Sequence, residues 1–518
     1  MMEFPERFFT YQQGAPMLFT GISFWIFLGI ILFVFSFIYR KTGKRNAFLF
    51  LAGLFFYYKA GGMFVLLLLF AVTVNYFLAL LSGRTPEKRE RKAILLLTIL
   101  FNLGMLVWFK YTGFFISMLN QTTGLHFHVF NFISLGWNRA TGSHLSLTEI
   151  LVPAGISFYT FQVMSYAIEV YRKKIGPVRN FTDFGFYITF FPNLISGPIV
   201  KPQDFIPQVR KPFELTREEY GLAVFLILSG LVKKIVFADY ISVNFVGRVF
   251  DNPGLFTGFE SLLALYGYTL QIYFDFSGYT DLAIGIALLL GFRLPPNFDD
   301  PYKARNISEF WKRWHMSLTT WFRDYLFLPL AYYFSGKMGK PRYFRVKTEL
   351  LIYTAGILLT FILCGLWHGA AWNFILWGGI HGIALAIHKI FHPKTRSDKS
   401  VHPLRLFASR FFTFHFIVFT WIIFRISGEE EFNILVRKLF LHFHTDLAGQ
   451  VMMAYWKEIL LILAGFLLVW CPGKIKERLT RSFVATPVYV KAIILIFSII
   501  VIYQFRVAGI QPFIYFQF

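Results

Sequence analysis

The chain has 518 residues, 56% of them hydrophobic, 20% aromatic and 15% charged, with a mean hydropathy of +0.55 and a formal charge of +23. Soluble domains carry about 25% charged residues, so this much apolar surface excludes an ordinary water-soluble fold and calls for lipid. The basic excess sits in short clusters between apolar runs, such as Arg40-Lys41 with Lys44-Arg45, Arg84 to Lys92, and Arg172-Lys173-Lys174. That is the pattern of cytoplasmic loops and not of a nucleic-acid groove, so no nucleic-acid partner is expected. Two cysteines, Cys364 and Cys471, imply neither a disulfide framework nor a zinc cluster.

The start, Met1-Met-Glu-Phe-Pro, lacks the pattern of a cleavable signal. The first apolar run, Met17 to Tyr39, ends in the Arg40–Arg45 cluster and reads as a retained spanning helix with its N-terminus outside. Further spans are expected near Ala47–Tyr58, Gly62–Leu81, Ala93–Phe109, Leu151–Val170, Phe184–Val200, Leu222–Phe237 and Ser261–Leu290. Others follow near Leu350–Trp367, Trp372–Ile387, Phe411–Ile426, Ile459–Trp470 and Val490–Gln504. Several are shorter than the roughly 20 residues of an upright crossing, which points to re-entrant or buried segments among them.

The predicted fold is all-α: a polytopic transmembrane bundle of about 10–14 spanning or re-entrant helices, with interfacial helices and a central passage. It forms a single integral-membrane domain over 1–518, with N-terminal helices to 120, a catalytic core over 150–390 and C-terminal helices from 405. Four hydrophilic stretches interrupt it: Met118 to Glu149, Lys201 to Glu219, Pro295 to Lys347 and the basic loop Lys389 to Arg405. Within the third, Asn306 to Asp324 mixes Trp311, Trp314, Trp321 and Phe322 with Lys312, Arg313 and Arg323, and reads as one interfacial helix.

Two histidines stand out. His368 closes the almost uncharged run Leu350–Trp367, between Gly365 and Gly369 and beside Trp367, Trp372 and Asn373. An ionisable group at membrane depth is expensive and often functional, and a histidine moves protons near neutral pH. The bland alternative is a core histidine bonded to a carbonyl. His315 lies in the aromatic-basic stretch, and on its own reads as an interfacial side chain with a wet tip. Its interest comes from pairing with His368.

Cys364 shares a helix face with His368, yet a small buried thiol explains it better than a nucleophile. The run Gln271 to Asp281 sets Asp275 and Asp281 in apolar sequence. Each needs a cation, for which an Arg or Lys of 303–323 is the expected source. The pairs His126/His128 and His442/His444 have no evident third ligand, and no metal is assigned. No nucleotide-binding loop or hydrolase elbow occurs.

In these residues the chain resembles the membrane-bound O-acyltransferase superfamily, most closely its alginate O-acetyltransferase branch. The likeness rests on Pro153 to Gln162, Phe190 to Pro198, Gln271 to Asp281, Pro295 to Asp299 with Pro301-Tyr302, Phe310 to Asp324, Leu366 to Gly382, and the ending Pro512 to Phe518. It implies that His368 is the family's catalytic histidine and His315 its second, and the chemistry required would make His368 a general base and have His315 orient the acyl carbonyl or stabilise developing negative charge. It also implies acetyl-CoA or an equivalent acyl donor as a cytoplasmic substrate, with no permanently bound cofactor. The acceptor side would be a polysaccharide reached through a separate extracytoplasmic SGNH-type partner, in a bacterial cytoplasmic (inner) membrane.

Trp311, Arg313, Trp314, Asp324, Trp367, Asn373 and Asp275 are the candidates for the passage or donor site. Basic residues of 303–323 would attract the donor's phosphates, or else lipid headgroups. D-alanyl transfer to teichoic acid is the alternative within the superfamily. A transporter or assembly scaffold is the alternative outside it.

Overall fold

A computed structural model describes residues 8–12, 14, 16–142, 144, 146–343, 345–392, 402–507, 511 and 513. Among these, helices account for nearly all regular structure. The strands are two residues each, Arg342–Tyr343 antiparallel to Val346–Lys347. Seven described helices are long and apolar enough to cross a membrane: Phe64–Arg84, Lys88–Thr123, Arg217–Asp251, Gly258–Leu289, Thr348–His368, Trp372–Phe391 and Pro403–Arg425. Two bent pairs raise the number to 9 if each is one span: Thr445–Ala454 with Trp456–Trp470 at 92°, and Gly473–Ala485 with Val488–Gln504 at 118°. The chain is an all-α polytopic bundle.

Some expected spans take other forms. The first apolar run is a 17-residue helix, Ile22–Ile38. Leu151–Val170 becomes the 16-residue helix Ile156–Tyr171, buried on nearly every side. Phe184–Val200 becomes the nine-residue helix Phe181–Thr189 followed by a buried irregular segment. The centre of the basic loop Lys389–Arg405 lies outside the described residues, as does most of Pro512–Phe518.

The chain divides into two compact units, Met1–Phe213 and Glu214–Phe518, a boundary inside the stretch expected as the catalytic core. In the first unit, Thr42–Gly61 crosses the short helix Phe181–Thr189 at backbone contact: a Cβ on Gly53 would sit 2.0 Å from the Thr189 carbonyl oxygen. Beside that crossing, Asn46 Nδ2 donates to Asp183 Oδ1 at 2.8 Å, and Asp183 also pairs with Arg210. Hydrogen bonds and an ion pair thus satisfy Asn46 and Asp183 where they enter the core.

The second unit contains both histidines of interest. Its central helix, Gly258–Leu289, has 32 residues and is 83% buried over its apolar window. A capping box starts it: Thr257 accepts from Glu260 N–H, while Glu260 accepts from Thr257 N–H. Arg217–Asp251 starts the same way from Thr216 and Glu219. The two helices touch through glycines, since a Cβ on Gly230 would lie 2.6 Å from the Gly278 oxygen.

This close crossing supplies the cation that Asp275 needs. Lys234 Nζ lies 2.6 Å from Asp275 and 2.8 Å from Asp239, all three buried. One turn along, Lys233 binds Asp281 at 2.6 Å. The expectation of a partner from 303–323 is therefore corrected. Lys234 is a neighbour across the glycine contact, whereas Lys303, Arg305, Arg313 and Arg323 are held by carboxylates of their own. Two π-helical stretches, 232–239 and 242–246, re-aim the side chains here.

Removing one partner of a buried ion pair leaves an uncompensated charge, at about 3–5 kcal/mol. Lys234→Met should lower the yield of folded protein and its melting temperature in detergent. The double variant Lys234→Met/Asp275→Asn should recover part of the loss. Equal melting of the single variant and the parent would contradict the pairing.

Candidate active site

The stretch expected as one interfacial helix is broken. A first helix, Ile307–Arg313, is capped by Asn306, whose side chain accepts from Glu309 N–H at 2.9 Å. A second helix, Met316–Phe322, begins after His315, which adopts φ 43° and ψ 53°. A left-handed conformation at a non-glycine residue costs on the order of 1–3 kcal/mol, and such strain clusters at functional sites. The break turns Trp314 and His315 inward: both are buried, and His315 has 0% exposure. The wet-tipped reading of His315 is thereby excluded.

His368 is placed by a second close contact. Thr348–His368 packs on Trp372–Phe391 with glycines on both sides. A Cβ on Gly365 would meet the Phe374 oxygen at 2.1 Å, and one on Gly378 the Phe361 oxygen at 2.1 Å. The helix stops at His368, and Gly369 lies so near the Phe374 ring that a Cβ would fall 2.1 Å from it. Asn373 Nδ2 then donates to the carbonyls of Ile423 and Phe424, at 3.2 and 3.4 Å. This brings the Phe424 ring edge-on to His368, with centroids 5.3 Å apart. Trp377 stands at right angles to the same imidazole, also at 5.3 Å.

The two imidazoles share one indole. Trp367 lies 4.9 Å from His368 and 6.1 Å from His315, centroid to centroid. On its other side, His315 meets Phe276 of the central helix edge-on at 4.5 Å. Edge-to-face pairs add about 0.5–1.5 kcal/mol each beyond burial, so the rings are held by several modest contacts. The sequence separates these histidines; the fold brings both against Trp367.

The other expected residues fall into distinct places. Trp311 donates its indole N–H to His381 Nδ1 at 3.2 Å and packs on Phe361 and Trp377. Trp314 stacks on Phe310 and packs against Trp421 and Phe298 in an aromatic core. Arg313 pairs with Glu309 and Asp299, and Asp324 with Arg323. Trp372, which neighbours Asn373 in sequence, is 58% exposed. His442 and His444 have rings stacked 6.4 Å apart.

The basic stretch is largely neutralised, which weakens the expected attraction for phosphates. Lys303 is held by Asp300, Arg305 and Arg313 by Glu309, and Arg323 by Asp324. Burial pushes the Asp300 carboxyl up, but hydrogen bonds and charge from Lys303 and Lys476 outweigh it and hold the carboxyl below its usual range. Burial likewise pushes Glu309 up, and Arg305 and Arg313 bring it below the usual range.

Sequence reasoning did not single out His381. It is fully buried between Trp311 and Thr420, with Nε2 3.2 Å from the Thr420 hydroxyl. The signal was available: an imidazole in an apolar, glycine-bearing helix is the same criterion that selected His368. Its environment is a closed hydrogen-bond chain, since Thr420 passes its own proton to the Ile417 carbonyl at 2.8 Å.

Residues 50–428 match the sequence profile of MBOAT, the membrane-bound O-acyltransferase family. The chain belongs to this family. It is 33% identical to a peptidoglycan O-acetyltransferase of Helicobacter pylori over 407 residues, covering 74% of this chain and 71% of that protein. It is 36% identical to a probable alginate O-acetylase AlgI of Azotobacter vinelandii over 413 residues, covering 79% and 75%. A teichoic acid D-alanyltransferase of Bacillus subtilis is 31% identical over 283 residues, covering 53% and 68%. The chain is an O-acyltransferase and a multi-pass membrane protein, and both buried imidazoles lie inside the matched region of this MBOAT member.

Burial drives the His315 pKa down from 6.5 to about 3, so the folded protein holds this ring neutral. The unfolded chain takes up a proton there below about pH 6.5 while the folded one does not. Stability should therefore fall as pH drops from 6.5 towards 3. His315→Gln should flatten that part of the stability–pH curve, measured by thermal unfolding in detergent. A variant curve parallel to the parent's would show that His315 does not drive the acid loss.

Proposed function

We propose that this MBOAT member transfers acetyl groups from a cytoplasmic donor, acetyl-CoA or an equivalent acyl thioester, for O-acetylation of an extracytoplasmic polysaccharide. One observation carries the reading: two buried imidazoles share the Trp367 indole in a family member whose relatives matched over 407 and 413 residues are named as a peptidoglycan O-acetyltransferase and a probable alginate O-acetylase. The D-alanyl relative matches a shorter part of the chain, which favours acetyl as the group moved. Handover to an SGNH-type partner, the resident inner membrane and the use of acetyl-CoA itself belong to this proposal.

The chemistry follows from the residues. A hydroxyl attacks the thioester carbonyl carbon as its proton passes to a neutral imidazole, His368 in this scheme. A new C–O bond forms, the tetrahedral intermediate collapses, and the C–S bond breaks. The thiolate leaves with the electron pair and recovers a proton from the imidazolium. His368 is enclosed by Trp367, Trp377 and Phe424, which limits water that would otherwise compete with the hydroxyl.

His368→Ala should abolish transfer while leaving membrane-inserted protein at near-parental abundance. Mass-spectrometric O-acetyl content of surface glycans, set against membrane-fraction abundance, reads both. Near-parental acetylation would sink the base assignment and favour a transporter or scaffold. Alanyl in place of acetyl on the glycan would favour the D-alanyl branch.

A further inference from the structure

We propose that Asn297 is a positioning residue that locks His315 in its Nδ1–H form, so that the ring offers a bare Nε2 as an acceptor. The inference rests on the reading above, in which His315 belongs to the acyl-transfer centre. It assigns that ring a role different from the carbonyl-orienting or charge-stabilising one expected of it.

The loop before the broken helix is stitched to the break by two hydrogen bonds: Met316 N–H to the Asn297 carbonyl, and Asp299 N–H to the Arg313 carbonyl, both at 3.0 Å. Asn297 is thereby fixed beside His315, and it has 0% exposure. Its side chain also receives the Ser317 N–H, at 3.1 Å from Oδ1. These bonds offset the strain of the left-handed backbone at His315.

The Ser317 contact fixes the amide's orientation. A backbone N–H only donates, so the amide atom facing Ser317 is the oxygen. The same oxygen lies 3.3 Å from His315 Nδ1. An amide oxygen only accepts, so Nδ1 carries the proton. A neutral imidazole has a single N–H, and Nε2 therefore keeps its lone pair. The Asn297 amide nitrogen has no hydrogen-bond partner among the described residues, so it does not compete for the amide's orientation.

His381 shows the opposite case by the same logic. The Trp311 indole N–H only donates, so His381 Nδ1 accepts and its proton sits on Nε2, directed at Thr420. The fold thus holds two buried imidazoles in opposite tautomers by obligate donors and acceptors. His381 is closed on both nitrogens by protein groups. Asn297 holds the Nδ1 side of His315. A ring with a bare Nε2 cannot donate to a developing oxyanion; it receives a hydrogen bond or a proton from a protic group of the substrate. Stabilisation of the acyl oxygen must come from another donor.

The test is nitrogen-15 histidine spectroscopy of the full-length protein in lipid, with His315→Gln used to assign the His315 signals. The expected parental form is neutral with the proton on Nδ1. Asn297→Asp retains an acceptor oxygen, and should keep that form and activity within about 10-fold. Asn297→Ala removes it; the proton should redistribute toward Nε2, with kcat falling roughly 100-fold or more at unchanged KM. An Nε2–H signal in the parent overturns the inference, as does an Asn297→Ala spectrum identical to the parent's. If Asn297→Ala does not accumulate, loss of the Nδ1–H form in Asn297→Asp overturns it equally. Full transfer by His315→Gln would instead sink the place of His315 in the reaction and leave its tautomer assigned.

Discussion

The backbone contact between Thr348–His368 and Trp372–Phe391 is the constraint on which the arrangement around the imidazoles depends. Lipid offers no hydrophobic drive for helices to associate, so their approach relies on close packing through small residues. Gly365 and Gly378 provide it, each lying where a side chain would collide with a facing carbonyl. With the helices this close, Trp377 reaches the ring of His368, and on its own helix it also meets that of His381, at 4.6 Å. Trp311 then seals against both helices, and the break at His315 follows only a few residues later in the chain.

A second constraint is electrostatic. Charges inside the bundle need partners at short range, because an apolar surrounding stabilises them poorly. The chain meets this need by bringing the cation-bearing helix against the central one through Gly230 and Gly278. Lys233 and Lys234 then face Asp281 and Asp275. The arrangement braces the central helix, which in turn presents Phe276 to His315. Asp275 thus acts on the candidate site through the scaffold, as a member of a buried ion pair.

Much of this was legible in the sequence, and the limits have physical causes. The all-α membrane bundle followed from apolar run lengths, and His368 from being an ionisable group in an uncharged run. The break at His315 was not legible: an aromatic-basic stretch without glycine or proline reads as continuous helix, and a left-handed histidine is set by tertiary hydrogen bonds accepted by Asn297. Asn297 itself sits in a loop motif whose meaning appears only once the loop pairs with Met316 and Ser317. Lys234 was hidden because a lysine near the end of an apolar run looks like a loop-flanking charge. The short buried helices Ile156–Tyr171 and Phe181–Thr189 resembled spans because burial in protein and burial in lipid select the same side chains.

The central claim is that the chain performs acyl transfer and does not merely carry an intact donor across the bilayer. It is tested most directly by reconstituting the purified protein into sealed vesicles with isotope-labelled acetyl thioester on one side. Acceptor glycan, with or without an added SGNH-type partner, is placed on the other. Mass spectrometry then follows the label. The account predicts labelled acetyl esters on the acceptor side, free thiol left on the donor side, and loss of both with His368→Ala. Intact donor appearing on the acceptor side, or ester formation unaffected by that substitution, would contradict it.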